Sequence, residues 1–297
     1  MVYTITFNPA MDYVMKTEKF VSGQVNRSTS EYLVAGGKGI NVSVVLSELG
    51  VENTALGFVA GFTGIEIERL LSEQKIRTDF VKLEKGNSRI NVKIKAETET
   101  ELNAKGPEIN ENDIEKLFEK LEKVNENDFV VLSGSVPKGV DENIYCKIAE
   151  KVKVRLVVDA EKKLLLETLK FKPFLIKPNH IELGEMFDIT INTPDDAIKY
   201  AQKLIEMGAE NVLVSMAEKG GVFVNEDEAF YLEAPKGDLV NSTGAGDSAV
   251  AGFLAGYIET KDFEKAFKMG ICAGSASAFS ENLATKEEII KMLTILK

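Results

Sequence analysis

The sequence predicts an α/β fold, in which helices cover both faces of a mainly parallel sheet and a small second β-sheet lies outside that three-layer core. Strand-like and helix-like segments alternate regularly from Asn110 onward, which is the pattern of parallel strands joined by helical crossovers. Two glycine-rich segments each lead directly into a helix, an arrangement suited to binding anions. Two polar-faced segments do not follow the alternation, and they predict the second sheet.

The first strand is predicted at Val2–Phe7, where β-branched and aromatic residues alternate. It leads into Asn8-Pro-Ala-Met-Asp12. Open α/β sheets bind their ligands beyond the carboxyl ends of strands, so Asp12 is a candidate binding residue. The alternative is that Asp12 serves only as a turn or cap residue.

The first glycine-rich segment is Ala35-Gly-Gly-Lys-Gly-Ile-Asn41, and an amphipathic helix follows it as far as Gly50. Unpaired N–H groups at such a helix start favour an anion, and Lys38 adds a positive charge. A flexible hinge before the helix is the alternative interpretation. Next come a predicted strand at Thr54–Val59, a turn at Gly61–Gly64 and a helix at Ile65–Gln74.

The second sheet is predicted from residues 13–34 and 88–104. Within it, Arg89–Lys95 alternates strictly between polar and apolar residues, so one face would be apolar. We expect this sheet to act as a lid that keeps water out of the site. The expected organisation is a core of residues 1–12, 35–87 and 105–297, with a discontinuous lid of residues 13–34 and 88–104.

The remainder of the core follows as alternating helices and strands. The predicted elements are helix Glu111–Lys123, strand Asp128–Leu132, helix Asn143–Lys151, strand Arg155–Asp159, a short helix around Leu164–Leu169, strand Phe174–Lys177, helix Pro194–Met207 and strand Asn211–Ser215. An antiparallel hairpin is predicted at Val222–Val224 and Ala229–Leu232. A further helix is predicted over Asp262–Phe279, rich in small residues that permit close packing.

The second glycine-rich segment, Val240–Val250, combines glycines, a carboxylate and the start of an apolar helix. Its N–H groups and helix dipole suit an anion, and Asp247 in the first turn could accept a proton from an attacking hydroxyl. The alternative is an ordinary turn in which Asp247 caps the helix. Neither the Walker A motif nor the Gly-x-Gly-x-x-Gly dinucleotide motif is present, which excludes the common nucleotide-binding folds based on them.

Composition narrows the classes of function. A net charge of −11 and a pI near 4.9 argue against nucleic acid or an acidic membrane as a partner. A single histidine excludes multi-histidine metal sites and disfavours a Ser-His-Asp triad. The two cysteines, Cys146 and Cys272, lie in apolar helical patterns and predict buried free thiols in a reducing cytoplasm. No apolar segment reaches membrane-spanning length, and the strand-like start predicts no signal peptide.

Five motifs in this order resemble those of the PfkB branch of the ribokinase-like carbohydrate kinases, and the resemblance covers essentially the whole chain. They are Asn8–Asp12, Ala35–Asn41, Ser133-Gly-Ser-Val-Pro137, Lys177-Pro-Asn-His-Ile-Glu182 and Gly244-Ala-Gly-Asp-Ser248. Asn8–Asp12, Gly23–Arg27 and Arg89–Lys93 look most like the 1-phosphofructokinase group. The resemblance implies a ribokinase-like fold with a β-sheet lid that often forms the dimer contact.

The resemblance also implies roles for individual residues. Asp247 would be the catalytic base, beside an anion hole formed by the N–H groups of Gly244, Ala245 and Gly246. The sugar hydroxyls would be held by Asp12, Gly36, Gly37 and Asn41. The phosphate already on the substrate would be bound by Lys38 and Arg89, with Arg27 and Lys138 as further candidates. Mg²⁺ would be organised, largely through water, by Asn179 and Glu182. The ATP would be flanked by Lys177, Asn179, Ser215, Ala217, Gly220, Thr243, Gly244 and Gly246.

One departure from the family pattern concerns the nucleotide loop. Relatives usually carry Ser-x-Gly-x-x-Gly, whereas this chain has Ser215-Met-Ala-Glu-Lys-Gly220, with Ala217 at the first glycine position. The sequence therefore does not predict the backbone path of this loop.

The implied reaction is ATP-dependent phosphorylation of the 6-hydroxyl of D-fructose 1-phosphate, giving fructose 1,6-bisphosphate and ADP. Tagatose 6-phosphate and fructose 6-phosphate remain alternative acceptors, and a catalytically silent sugar-phosphate sensor is an alternative of another class. We expect a cytoplasmic homodimer formed through the lid.

Overall fold

The computed structural model describes residues 1–137 and 139–296. In this part of the chain the strands are β1 (Val2–Thr6), β2 (Ala10–Lys16), β3 (Ser30–Gly36), β4 (Asn53–Ala60), β5 (Arg77–Thr78), β6 (Val81–Leu83), β7 (Arg89–Lys95), β8 (Glu99–Asn103), β9 (Phe129–Ser133), β10 (Arg155–Asp159), β11 (Leu175–Ile176), β12 (Asn211–Ser215), β13 (Gly221–Asn225) and β14 (Ala229–Leu232). The helices are α1 (Lys38–Glu48), α2 (Gly61–Glu73), α3 (Glu111–Leu121), α4 (Ile144–Lys151), α5 (Lys162–Thr168), α6 (His180–Phe187), α7 (Pro194–Glu206), α8 (Ala245–Thr260), α9 (Phe263–Ala278) and α10 (Lys286–Ile295).

The main sheet has the strand order β14-β13-β12-β11-β10-β9-β1-β4-β5, and β6 also pairs with β4. Every pairing from β12 to β6 is parallel, whereas β13 and β14 add an antiparallel edge. The mainly parallel core predicted from the alternation of elements is therefore confirmed. Because parallel strands point the same way, their carboxyl ends meet at one edge of the sheet.

Helices cover both faces of the main sheet. Successive residues of a central strand such as β9 face opposite sides, since Val130 packs in one core cluster and Val131 in the other. One cluster contains residues of α3 to α7, and the other contains residues of α1, α8, α9 and α10. The strands are apolar on both faces because neither face meets water.

The second sheet has the order β3-β2-β7-β8. Strand β2 runs antiparallel to β3 and parallel to β7, and β7 pairs antiparallel with β8. Helix α2 and the start of α1 join this sheet to the main one through a third apolar cluster, which includes Met11, Ile40 and Ile67. The second sheet thus lies beside the carboxyl edge of β1 and β4, while its division from the core as a moving lid stays a prediction.

Two local expectations were wrong. Helix α2 begins at Gly61, in the segment predicted as a turn, because its first turn includes two glycines that weaken the helical pattern. Asp12 lies within β2 and not in a loop, because the chain resumes an extended path at Ala10, after Asn8-Pro9.

The predicted state of the cysteines is confirmed, because Cys146 and Cys272 are both buried and unpaired. Burial raises the pKa of both thiols, that of Cys272 to about 12. Across the described ranges, the helices all fall short of the length and apolar character that a membrane crossing requires.

Candidate active site

The candidate residues gather at the carboxyl edge of the main sheet. Asp159 ends β10, Lys177 follows β11, and Ser215 ends β12. Asn179 forms a bridge with Ser215, so the segments after β11 and β12 are adjacent. The starts of α1 and α8 reach the same region, because Asn41 of α1 contacts Asp247 of α8.

Helix α8 begins at Ala245, with Gly244 as its N-cap, and Asp247 lies in its first turn as the sequence predicts. Gly244 has a left-handed backbone with φ of 81°. This backbone conformation favours glycine, and a Cβ there would also lie 2.5 Å from the Leu283 Cδ2 atom, so the Leu283 side chain would have to move. No side chain caps this helix start. The Ala245 N–H donates to the Ser242 carbonyl at 3.3 Å, but within the described ranges the N–H groups of Gly246 and Asp247 have no such partner and are available to an anion.

Asp247 is buried, with 5% of its surface exposed. Its Oδ2 atom accepts a hydrogen bond of 2.7 Å from the Asn41 amide. Burial, followed by repulsion from Asp159, raises the pKa of Asp247 to about 7, although the Asn41 hydrogen bond and the positive charges of Lys38 and Lys177 act in the opposite direction. A carboxylate with a pKa near neutrality is suited to accept a proton at physiological pH.

Two lysines converge on the buried carboxylate of Asp159. Its Oδ1 atom lies 3.5 Å from the Lys38 Nζ atom and 3.4 Å from the Lys177 Nζ atom. Lys177 is almost fully buried, and its Nζ atom lies beside Gly246, 3.2 Å from where a Cβ would be. Burial alone would lower the pKa of Lys38. The pKa is nevertheless raised, because the negative charges of Asp159, Asp247 and Glu182 together have the larger effect. The start of α8 is therefore flanked by two positive charges.

Asn179 and Glu182 form a capping box at the start of α6. The Asn179 side chain accepts from the N–H groups of Ile181 and Glu182, and the Glu182 Oε2 atom accepts from the Asn179 N–H at 2.8 Å. Within the described ranges the other Glu182 oxygen makes no hydrogen bond, and the buried Asp159 Oδ2 atom also has no partner. Carboxylate oxygens without hydrogen-bond partners are the type of ligand that Mg²⁺ prefers, so the residues at this edge of the sheet fit this ion.

The segment after β12 makes a tight turn at the expected nucleotide loop. A short 3₁₀ helix spans Ala217–Lys219, and the Met216 N–H donates to the Gly220 carbonyl at 2.8 Å. Ala217 adopts a left-handed backbone, with φ of 52°. The chain therefore keeps at Ala217 a conformation that favours glycine.

A cleft of about 410 Å³ lies between the second sheet and the core. Among the predicted site residues, it is lined by Asp12, Gly36, Asn41 and Thr243. Gly36 lies flat against the Asp12 carboxylate, since a Cβ on Gly36 would be 2.8 Å from the Asp12 Oδ2 atom. Gly37 is the N-cap of α1, and it places Lys38 and Asn41 on that helix.

The basic residues expected to bind the phosphate of the substrate differ in their burial and contacts. Arg89 begins β7 and is half-buried, and its Nε atom donates to the Asn8 carbonyl at 3.1 Å. Burial lowers the pKa of Arg89, although the charge of Asp12 opposes this change. Arg27 lies exposed between β2 and β3, and no described contact joins its side chain to the other candidates. Lys138 lies outside the described residues.

Three side chains at the site were not among the candidate site residues predicted from the sequence. Asp159 ends a buried strand, and its position after Arg155–Val158 could have indicated a site residue by the same reasoning as for Asp12. Asn91 and Lys93 belong to the polar face of β7 that the alternation did reveal. Only the structure shows that both contact Asp12, because strand pairing between distant segments sets that contact.

The fold and this site, with a buried carboxylate beside a helix N-terminus and flanking lysines, define a phosphotransferase that acts on an alcohol group. The chain belongs to the PfkB family of carbohydrate kinases, whose model, described as "pfkB family carbohydrate kinase", matches residues 3–290.

Individual relatives are similar over nearly the whole chain. A 1-phosphofructokinase of Bacillus subtilis is 46% identical, over 100% of this chain and 99% of that protein. A D-tagatose-1-phosphate kinase of Bacillus licheniformis is 37% identical, over 95% of this chain and 94% of the relative. The crystal structure of phosphofructokinase-2 from Escherichia coli in complex with substrates and products has a TM-score of 0.94 and 27% identity, over 99% of both chains.

Proposed function

We propose that this protein is an ATP-dependent kinase that phosphorylates the 6-hydroxyl of D-fructose 1-phosphate, giving fructose 1,6-bisphosphate and ADP. The observation that carries the proposal is the buried Asp247, held by Asn41 at the uncapped start of α8. The similarity to the B. subtilis enzyme, over the full length of the chain, supports the choice of acceptor.

Asp247 is proposed as the general base. It would accept the proton of the sugar hydroxyl as the hydroxyl oxygen bonds to the γ-phosphorus of ATP and the bond to the leaving ADP oxygen breaks. The N–H groups of Gly244, Ala245 and Gly246 would stabilise the transferring phosphoryl group, and Lys177 beside Gly246 would add positive charge. Phosphoryl transfer depends chiefly on such positioning and charge neutralisation.

The phosphate already on the sugar is proposed to bind Arg89 and Lys38. Within the described ranges Arg89 has no carboxylate within ion-pair distance, so its guanidinium group is available to a dianion. Lys38 is half-exposed at the start of α1, where the helix dipole also favours an anion. Asp12, Gly36, Gly37 and Asn41 would hold the sugar hydroxyls, and Arg27 stays a candidate whose exposed position offers no support.

The nucleotide is proposed to lie along the segments after β11 and β12 and before α8. Lys177, Asn179, Ser215, Ala217, Gly220 and Thr243 belong to these segments. Asn179 and Glu182 would hold Mg²⁺, which neutralises phosphate charge when it is bound with ATP.

The second sheet is proposed to be a lid, made of residues 13–34 and 88–104, that also joins two copies of the chain. Its outer face carries exposed apolar residues, among them Leu33 and Leu102, which a partner could cover. A reducing cytoplasm is the proposed location, and the free thiols of Cys146 and Cys272 are compatible with it.

D-Tagatose 1-phosphate is a second candidate acceptor, because a kinase named for it is 37% identical to this chain. Like fructose 1-phosphate, it carries its phosphate at the first carbon, so Arg89 and Lys38 would serve both. Tagatose 6-phosphate and fructose 6-phosphate would present the phosphate at the other end of the sugar. A catalytically silent sensor is the remaining alternative, although Asp247, Asn179 and Glu182 are all retained.

The test is ADP release with Mg-ATP and a panel of acceptors. The panel contains fructose 1-phosphate, tagatose 1-phosphate, tagatose 6-phosphate, fructose 6-phosphate and fructose. We expect the highest kcat/KM for fructose 1-phosphate. A preference for a 6-phosphate would reverse the proposed substrate orientation, and no activity on the panel would support the sensor.

A further inference from the structure

The Asp12 carboxylate is held from two sides by neighbouring residues of β7. Its Oδ1 atom accepts a hydrogen bond of 2.9 Å from the Asn91 amide, and its Oδ2 atom lies 3.2 Å from the Lys93 Nζ atom. The register explains both contacts, because Asp12 of β2 pairs with Asn91, and Lys93 lies two residues further along the same face. The carboxylate therefore has a fixed orientation against Gly36.

Lys93 differs in its surroundings from Arg89, which lies on the same face of β7. Only 13% of the Lys93 side chain is exposed, and its Nζ atom lies near two carboxylates, Asp12 at 3.2 Å and Glu101 at 3.5 Å. Both carboxylates raise the pKa of Lys93 against the effect of burial, which would lower it. A lysine whose charge is already matched by two carboxylates is poorly suited to bind a phosphate dianion, whereas Arg89 is free to do so.

We propose that Lys93 is a positioning residue that holds the Asp12 carboxylate aimed into the cleft, so that Asp12 can accept hydrogen bonds from the sugar hydroxyls. This inference rests on the proposed function, in which Asp12 binds the sugar. Lys93 and Asp12 both line the cleft, and the Glu101 carboxylate of β8 holds Lys93 in place from the opposite side. Sugar recognition is then coupled to the pairing of β2, β7 and β8 within the second sheet.

The test is a double-mutant cycle on the full-length protein, with Asp12→Asn, Lys93→Met and the two combined. Each variant is assayed for the KM of fructose 1-phosphate, the KM of ATP and kcat. We expect Lys93→Met to raise the sugar-phosphate KM on the order of tenfold, the scale of one charge-assisted hydrogen bond, with little change in the ATP KM. The combined variant should be no worse than Asp12→Asn alone, because Lys93 acts through Asp12.

Two further variants separate this role from a purely structural one. Lys93→Arg keeps the charge and should recover most of the lost affinity for the sugar phosphate. Lys82→Met removes a lysine that is paired with Glu68 at 3.1 Å on the exposed surface, and it should leave both KM values unchanged.

The kinetic results distinguish a failure of the role proposed for Lys93 from a failure of the role proposed for Asp12. Additive effects of Lys93→Met and Asp12→Asn would overturn the inference, since Lys93 would then contact the substrate itself. Equal rises in both KM values, with a lower Tm, would also overturn it and assign Lys93 to the stability of the second sheet. If Asp12→Asn alone left the sugar-phosphate KM unchanged, the proposed role of Asp12 would fail instead.

Discussion

At the scale of single residues, the environment of Asp247 determines what the site can do. The sequence placed this carboxylate in the first turn of a helix, where the dipole stabilises its anionic form. The structure adds a larger opposing influence, because burial and the charge of Asp159 raise its pKa to about 7. A residue that would be fully ionised at the surface is thereby brought near its titration point at neutral pH.

This raised pKa predicts a pH-dependent effect of Asp247→Asn on stability. An unfolded aspartate titrates near 3.9, so between about pH 4 and pH 7 the folded protein binds a proton that the unfolded chain does not. Wild-type stability therefore falls as the pH rises through this window, and the variant avoids that loss because its amide side chain stays neutral. We expect the variant to have the higher Tm at pH 8, by a few degrees, with a smaller difference at pH 5.

Thermal unfolding of both proteins across this pH range is the measurement. The two curves of Tm against pH should diverge as the pH rises. Parallel curves would show that Asp247 is already ionised at low pH in the folded protein.

Most of the residues singled out in the sequence lie at the carboxyl edge of the main sheet or in the cleft, but their contacts were not predicted. Asn41 was expected to touch the sugar, and the structure shows that its amide holds Asp247. Asp159 was missed, although it brings Lys38 and Lys177 together. These contacts join residues that are far apart in the chain, so they depend on how the strands and helices pack and not on any local pattern.

At the scale of elements, glycine-rich segments start the two helices that meet at the site. Most of the order of strands and helices was predicted, but β5, β6, α6 and α10 were not. The predictions failed where local propensity and packing disagree, as at the glycine-containing start of α2. The nucleotide loop shows a related conflict. Ala217 occupies a left-handed conformation with φ of 52°, which costs an L-residue roughly 1–2 kcal/mol.

Ala217→Gly should therefore relieve strain in this loop. Glycine has more freedom in the unfolded chain, which offsets part of the gain, so we expect the free energy of unfolding to rise by about 0.5–1 kcal/mol. Ala149→Gly, in the last turn of α4 and packed partly against the core, is the control for a helical position and should lower it by about 1 kcal/mol. Urea unfolding measures both, and an equal loss in the two variants would mean that the Ala217 backbone is not strained.

At the scale of the whole molecule, the second sheet has two different faces. The face toward the cleft carries Asp12, Asn91 and Lys93. On the other face the register places Leu33, Tyr13, Val92 and Leu102 side by side across all four strands. Leu102 is 73% exposed and Leu33 is 37% exposed, so this row leaves apolar surface uncovered in a single chain.

We expect this apolar row to be the contact between two copies of the chain. A lysine in place of Leu102 would put an unpaired charge into that contact and should convert a dimer to a monomer. Light scattering after size-exclusion chromatography gives the mass of each species. Ile290→Lys, on exposed α10, should leave the dimer intact. A wild-type monomer, or a Leu102→Lys dimer of equal strength, would contradict the proposed interface.

In the proposed reaction, Asp247 removes the proton from the sugar hydroxyl. The most direct measurement is the steady-state turnover of Asp247→Asn with fructose 1-phosphate and Mg-ATP, together with its affinity for fructose 1-phosphate. We predict that kcat falls by at least about a hundredfold while sugar-phosphate binding changes little, because the substituted amide keeps the shape of the site but cannot act as a base. Turnover close to that of the wild type would show that Asp247 is not the base.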